Sequence, residues 1–163
     1  MVWKVIAEGL ALGALLVAFC AYGIRNGAVH MVYLYHKDVQ ERCVENGLIT
    51  WDQIKNHSLD MKRRALPAYV LLLLTFVYAL NGARGFWDGF WQMFAILFIA
   101  NLIDRLGIDG YWVEHTDTWT IPGTEDLKPY INAKDKAIKW LTGTLGSAAV
   151  AAAIAGLLSP AVR

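Results

Sequence analysis

The sequence is poor in cysteine, proline and charge. Its 163 residues include two cysteines and four prolines, and charged residues make up 18% of the chain. Two cysteines match no zinc-ligand spacing, which excludes a structural zinc site of the usual kinds. Cys20 lies in an apolar run, and Cys43 lies in a charged segment predicted below to face a reducing compartment, so we expect two free thiols.

Motifs for several common activities are also missing. The net charge is +1, and no run of Lys and Arg is long enough to form a phosphate-binding surface, which excludes nucleic acid as a partner. No Gly-rich phosphate loop is present, and no serine stands in a Gly-x-Ser-x-Gly turn. The sequence therefore indicates no cofactor and no recognisable enzyme class.

Long apolar runs are abundant instead. Hydrophobic residues make up 56% of the chain and the mean hydropathy is +0.37, outside the range usual for soluble proteins. A helix needs roughly 20 residues to cross a hydrocarbon core of about 30 Å. Four runs approach that length, and a lone strand in lipid would leave its backbone groups unpaired, so all four are predicted to be helices. They are 5–24, 66–80, 85–103 and 137–158, the last ended by Ser159-Pro160.

This pattern predicts an all-α integral membrane fold with four transmembrane helices in one domain, residues 1–163. The Lys and Arg residues predict its orientation: segment 25–66 carries seven and segment 104–139 carries five. The other three, Lys4, Arg84 and Arg163, fall on the opposite side. Because Lys and Arg accumulate in cytoplasmic connections, both termini are predicted to face outward. We therefore expect a multi-pass protein of the cell membrane, in contact with membrane lipid.

The first long connection is predicted to form a cytoplasmic helical hairpin over residues 28–60. Residues 28–45 keep helical spacing, so we expect the first membrane helix to project beyond the membrane almost unbroken. Gly47 is a plausible helix stop. Thr50 and Gln53 fit a capping box that starts a short second helix at Trp51, ending near residue 57 or 59. The predicted core of the hairpin is Leu48, Ile49, Trp51 and Ile54.

The second long connection, within residues 104–133, is predicted to form an interfacial flap after the third helix. Residues 111–121 alternate loosely and contain β-branched and aromatic side chains, which indicates a small hairpin or a flap lying under the bundle. Pro122 and Gly123 form a turn pair. Thr124 is then predicted to cap a short helix that carries Asp126 and Lys128.

Small residues recur at four-residue steps in two of the membrane helices. Gly9 and Gly13 form a GxxxG pair, and such spacing lets helix backbones approach closely. The fourth helix repeats the pattern with Gly143, Ser147, Ala151 and Ala155. We expect these faces to pack inside one bundle, and a seam between two copies is the alternative. A homo-oligomer or a membrane-protein partner is also expected, because the helices of one copy carry few polar residues for a transport path.

Two acidic residues lie near the outer ends of the predicted helices. A carboxylate at bilayer depth is expensive and points to a function or a partner. Glu8 is close enough to the outer end to reach the headgroups, and the alternative is a proton- or cation-accepting group that faces the bundle. Asp88 belongs to the first turn of its helix, where a negative charge is favourable.

The densest group of polar residues follows the third helix. Asn101 and Asp104 are three residues apart and share a helix face, and a buried amide at position 101 must find a partner. Carboxylates and an imidazole can act as acids and bases or hold a cation. Their spacing matches no established metal site, and interface charges with Arg105 paired to Asp104 or Asp109 are the favoured alternative. The candidate catalytic residues are Asp104, Asp109 and His115, and the candidate binding residues are Asn101, Asp104, Arg105, Asp109, Glu114 and His115.

The same region carries a resemblance. Asn101-x-x-Asp104 is followed by Ile108-Asp109-x-x-Trp112 and by an Ile-Pro-Gly-Thr-Glu-Asp string at 121–126. Residues 97–127 thereby resemble small multi-helix membrane proteins of bacteria whose role is uncharacterised. The resemblance implies a shared structural unit and transfers no activity.

Three functions fit these observations. The favoured one is a non-enzymatic transport, channel-type or binding subunit, since no catalytic motif is required. The second is a membrane anchor whose cytoplasmic hairpin docks a soluble partner. The third is an intramembrane enzyme that acts on a lipid-like substrate with Asn101, Asp104, Asp109 and His115. For the third, these residues should converge on one cleft, whereas in a subunit they should pair with Lys or Arg or face water.

Overall fold

The chain is built almost entirely of helices. The computed structural model describes residues 1–159, so Pro160 and Arg163 lie outside the described residues. Within that range there are five helices: α1 (Val2–Ile24), α2 (Lys37–Glu45), α3 (Trp51–Leu80), α4 (Gly85–Val113) and α5 (Ala133–Leu158). Short 3₁₀ turns cover Ala28–Leu34, Asp117–Trp119 and Glu125–Leu127. The described residues contain no strand, which confirms the all-α fold class.

Four of these helices, α1, α3, α4 and α5, are long and apolar enough to cross a membrane, as predicted. All four are longer than predicted, because residues at their more polar ends continue the helix. The predicted short helix at Trp51 merges with the second span, so Pro67 lies inside one continuous helix and not in its first turn. Proline lacks an N–H and crowds the preceding turn, and a wide π-helical turn at Met61–Ala65 stands just before it.

Helix α4 is the centre of the bundle. Gly9 and Gly13 of α1 lie directly against Ile99 and Ile103 of α4, and a Cβ added at Gly9 would be 2.7 Å from the Ile99 Cβ. The small face of α5 is buried as well, at Ser147, Ala151 and Ala155. The expected packing within one bundle is therefore confirmed, with α4 as the partner of both small-residue faces.

The helix directions bring all the long connections to one end of the bundle. Helices α1 and α4 run parallel, because Gly9 lies against Ile99 and Gly13, one turn later, lies against Ile103. Helix α5 runs antiparallel to α4, because Asn101 bonds to Ser147 and the later Arg105 bonds to the earlier Thr144. Segments 25–50 and 114–132 therefore lie at the same end, which we call the capped end.

At the opposite end, both acidic residues have local partners. The Asn81 amide Nδ2 donates to the Glu8 Oε2 at 2.8 Å, and this bond ties α1 to the connection between α3 and α4. The Asp88 Oδ2 accepts from the Arg84 backbone N at 3.1 Å, as a charge in the first turn of a helix should.

After α1 the helical structure is interrupted at two places. The expectation that the first helix continues almost unbroken is therefore wrong. Gly27 has a φ of 112°, which an L-residue rarely adopts and which a helix cannot contain. A 3₁₀ turn follows, and α2 begins only at Lys37. The predicted capping box is present: the Thr50 N donates to the Gln53 Oε1 at 2.9 Å, and the Gln53 N donates back to the Thr50 Oγ1 at 3.3 Å.

Only two of the four residues predicted to form the hairpin core are buried. Ile49 and Ile54 are each 6% exposed, but Leu48 is 44% and Trp51 46% exposed. The reason is that the hairpin does not fold on itself alone. Its apolar side chains pack with residues of the second connection in one cluster of Ala28, Val32, Val39, Cys43, Ile49, Ile54, Ile121 and Tyr130.

The second connection is helical and turn-like, with no β-hairpin. Helix α4 runs on through residues 104–113, which were predicted as the start of the flap. The turn at Pro122 and Gly123 is confirmed, since the Thr124 N donates to the Ile121 O at 3.1 Å and Gly123 has a φ of 82°. Arg42 of α2 pairs with Asp126 at 3.0 Å and joins the two connections.

Candidate functional site

A cavity of about 540 Å³ lies at the capped end of the bundle. The last turns of α1 and α4, the first turns of α5 and both long connections surround it. Its apolar lining includes Leu16, Phe19, Met61, Ile108, Val113 and Ile138. Its acidic and basic lining consists of His36, Asp104, Asp109, Asp135 and Lys139. The cavity is therefore amphipathic, with carboxylates set among apolar walls.

A widened helix brings the two α4 carboxylates to this cavity. Residues Ile103–Val113 are π-helical, with hydrogen bonds from each residue to the fifth one before it. In a regular α-helix, positions five apart point about 140° away from each other. In the wider turn, Asp104 and Asp109 both line the cavity. Gly110 suits this geometry, because a Cβ there would be 2.9 Å from the Arg105 carbonyl oxygen.

Two of the three lining carboxylates are paired. The Lys139 Nζ donates to the Asp109 Oδ2 at 2.7 Å, and this carboxylate is nearly buried, with 12% of its side chain exposed. The His36 Nε2 lies 3.0 Å from the Asp135 Oδ2. The half-buried Asp104 makes no hydrogen bond or ion pair with any other residue in 1–159. The cavity therefore contains one carboxylate whose charge is not neutralised by a direct partner.

The buried indole of Trp119 also lines the cavity. Trp119 is 3% exposed, and its Nε1 has no hydrogen-bond partner among the described residues. The Tyr35 hydroxyl donates to the Trp119 carbonyl oxygen at 2.6 Å, and burial raises the pKa of Tyr35, so this donor stays protonated. Trp112 packs edge-on against the indole with ring centroids 5.5 Å apart. Trp119 is thus held firmly while its N–H remains unsatisfied.

Asn101 and Arg105 belong to the seam between α4 and α5. The Asn101 Nδ2 donates to the Ser147 Oγ at 2.7 Å, which supplies the partner that a buried amide needs. The Arg105 Nη1 donates to the Thr144 Oγ1 at 3.3 Å, and the guanidinium lies 4.7 Å from the Trp140 ring centroid. The expected pairing of Arg105 with an α4 carboxylate is therefore wrong, because its side chain is directed toward α5.

The remaining candidate residues lie apart from the cavity. Glu114 pairs with Lys136, and His115 is exposed and stacks on Tyr111 with centroids 5.5 Å apart. Of the six candidate binding residues, only Asp104 and Asp109 line the cavity. In residues 1–159, no group of three or more His, Cys, Asp or Glu side chains is arranged to hold a metal ion.

Several lining residues are not evident from local sequence patterns. Lys139 is 30 residues from its partner Asp109, and His36 is 99 residues from Asp135. Such pairs have no periodicity or spacing that a single sequence can reveal. Trp119 had one signal, since it is one of the aromatic residues of segment 111–121 that predicted the flap.

Comparison with known proteins finds no match: no protein-family model, curated protein or solved structure is similar to this chain. The chemistry of the cavity must therefore be inferred from its own residues.

Proposed function

We propose that this chain is a multi-pass protein of the cell membrane that binds a small amphiphilic ligand in the capped-end cavity, as a non-enzymatic binding or transport subunit. The capped end faces the cytoplasm in this proposal, in line with its excess of Lys and Arg. A ligand of this class would reach the cavity from the lipid, with its apolar part against the apolar lining and its polar part at the carboxylates of the cavity.

The amphipathic lining of the cavity carries this proposal. Its volume of about 540 Å³ lies within the range of roughly 300–1,000 Å³ usual for small-molecule sites. Leu16, Phe19 and Ile108 offer apolar surface, whereas Asp104 and Asp109 offer polar groups.

The anchor hypothesis receives less support. Docking of a soluble partner on the hairpin requires an exposed apolar face on residues 28–57. Most of that face, including Val32, Val39 and Ile54, is buried against Ile121 and Tyr130 of the second connection. The hairpin thus serves chiefly to close the cavity.

An intramembrane enzyme is the second candidate, and one observation favours it: Asp104 and Asp109 line the same cavity. Two observations weigh against it. Asp109 is engaged by Lys139 at 2.7 Å, and the other proposed acid–base residues, Asn101 and His115, are absent from the cavity lining. A binding role needs none of these groups to transfer a proton.

Filling the cavity tests the proposal. We expect Val113→Trp, which places an indole at the cavity wall, to lower binding of 1-dodecanol by about tenfold or more, because the alkyl chain loses its apolar site. Binding is measured with radiolabelled 1-dodecanol and purified protein in lipid nanodiscs, with empty nanodiscs as the blank. Leu106→Trp is the matched control, since Leu106 is on the same helix, 61% exposed and outside the cavity lining.

Equal binding by wild type, Val113→Trp and Leu106→Trp, or no binding above empty nanodiscs, would contradict the proposal. Phe19→Trp on α1 provides an independent obstruction if Val113→Trp does not fold.

A further inference from the structure

The charge balance of the cavity indicates what kind of head group its ligand carries. Asp109 and Asp135 are already engaged, by Lys139 at 2.7 Å and by His36 at 3.0 Å. Asp104 has no such partner within residues 1–159. A carboxylate taken out of water is costly unless an opposite charge or hydrogen-bond donors compensate it. A cationic donor on the ligand would supply that compensation.

An anionic head group fits these observations less well. Lys139 is the lysine of the cavity lining, and its ammonium is already paired with the more buried Asp109. A ligand carboxylate would have to compete with Asp109 for Lys139 and would stand near the unpaired charge of Asp104. Both effects oppose binding.

Building on the proposed function, we infer that the ligand is an amphiphilic amine, with its ammonium at Asp104. The alkyl or aryl part lies among Leu16, Phe19, Ile108 and Ile138. A primary amine with one long chain has both features.

Four probes of equal chain length separate these features: 2-amino-1-dodecanol, dodecylamine, 1-dodecanol and dodecanoate. Binding to the protein in lipid nanodiscs is measured by equilibrium dialysis, with empty nanodiscs subtracted. The two amines should bind most tightly and dodecanoate most weakly. Because a hydrogen bond to a charged group is stronger than one between neutral groups, loss of the amine should weaken binding by about tenfold or more.

One substitution assigns the contact of the ammonium. Asp104→Asn, which keeps the shape of the side chain, should lower the affinity for the two amines by about tenfold and leave 1-dodecanol within about twofold. Asp52→Asn is the matched control, because Asp52 is exposed in α3 and outside the cavity.

The outcomes distinguish the two proposals. If all four probes bind with similar affinity and Asp104→Asn changes nothing, the amine inference is overturned while the binding function stands. Preferential binding of dodecanoate would likewise overturn the inference. If none of the probes binds above empty nanodiscs, the proposed function fails, and the inference fails with it. Should Asp104→Asn not fold, the ranking of the four probes on the wild-type chain still decides.

Discussion

At the scale of single residues, the most informative polar group is Asn101. It stands within an apolar helix, and its amide bonds to Ser147 on the facing helix. The Ser147 hydroxyl in turn donates to the Gly143 carbonyl oxygen at 2.7 Å, so one hydroxyl both accepts and donates. Helix packing thus explains the polar side chain of Asn101, which was a candidate binding residue. It does not explain Asp104, three residues later, which makes no such hydrogen bond.

A double-mutant cycle on Asn101→Ala and Ser147→Ala should reveal this bond. Hydrogen bonds between membrane helices are worth on average about 0.6 kcal/mol and at most about 2 kcal/mol. We expect a coupling free energy of about that size, measured from unfolding in detergent micelles with each single and the double variant. Additive effects of the two substitutions would show that the bond contributes nothing to stability.

At the scale of helices, the close contact of α1 with α4 depends on glycine. Gly9 has no side chain, and the Ile99 side chain occupies the space where a Cβ would be. Gly146 on α5 is the opposite case, with no atom within 4 Å of its added Cβ. The two glycines therefore differ in what an extra methyl group would meet, although both lie in apolar helices.

We predict that Gly9→Ala destabilises the bundle by about 1–3 kcal/mol, because overpacking forces the two backbones apart. Thermal unfolding in detergent, followed by size-exclusion chromatography, would detect this as a lower midpoint. Gly146→Ala is the matched control and should leave the midpoint unchanged or raise it slightly, since alanine favours helix by up to about 1 kcal/mol. Equal midpoints for both variants would contradict the proposed role of Gly9.

At the scale of the whole molecule, most of the positive charge lies at the same end of the bundle as the long connections and the cavity. The two long connections that carry most of the Lys and Arg residues both lie at the capped end, and they are joined there by the ion pair of Arg42 with Asp126. The cavity is at this end too. We therefore expect the ligand site to face the cytoplasmic half of the membrane.

Cysteine accessibility in intact cells tests that orientation. Lys37 at the capped end is 81% exposed in its side chain, and Val2 at the opposite end is 70% exposed. We expect an impermeant maleimide to label Val2→Cys in intact cells, and to label Lys37→Cys only after the membrane is permeabilised. The reverse pattern would refute the predicted orientation.

The background for this test is a chain with Cys20→Ala and Cys43→Ala. Cys43 is 0% exposed and burial raises its pKa, so the native thiols should already react slowly.

Features that depend on neighbouring residues alone could be predicted from the sequence. The four apolar helices follow from composition and length, since each contains its own backbone hydrogen bonds. The capping box at Thr50 and the turn at Gly123 likewise need only residues within a few positions. Helix ends were less predictable, as α3 and α4 continue through polar segments whose stability comes from packing against other elements.

The sequence by itself determined the fold class, the four long apolar helices and the small-residue faces, because these are properties of periodicity and composition. Only the tertiary structure decided which polar residues share the cavity. A π-helical widening turns Asp104 and Asp109 to the same side, and Lys139 approaches from another helix to form an ion pair with Asp109. That selection depends on how separate helices meet, which no local pattern of residues specifies.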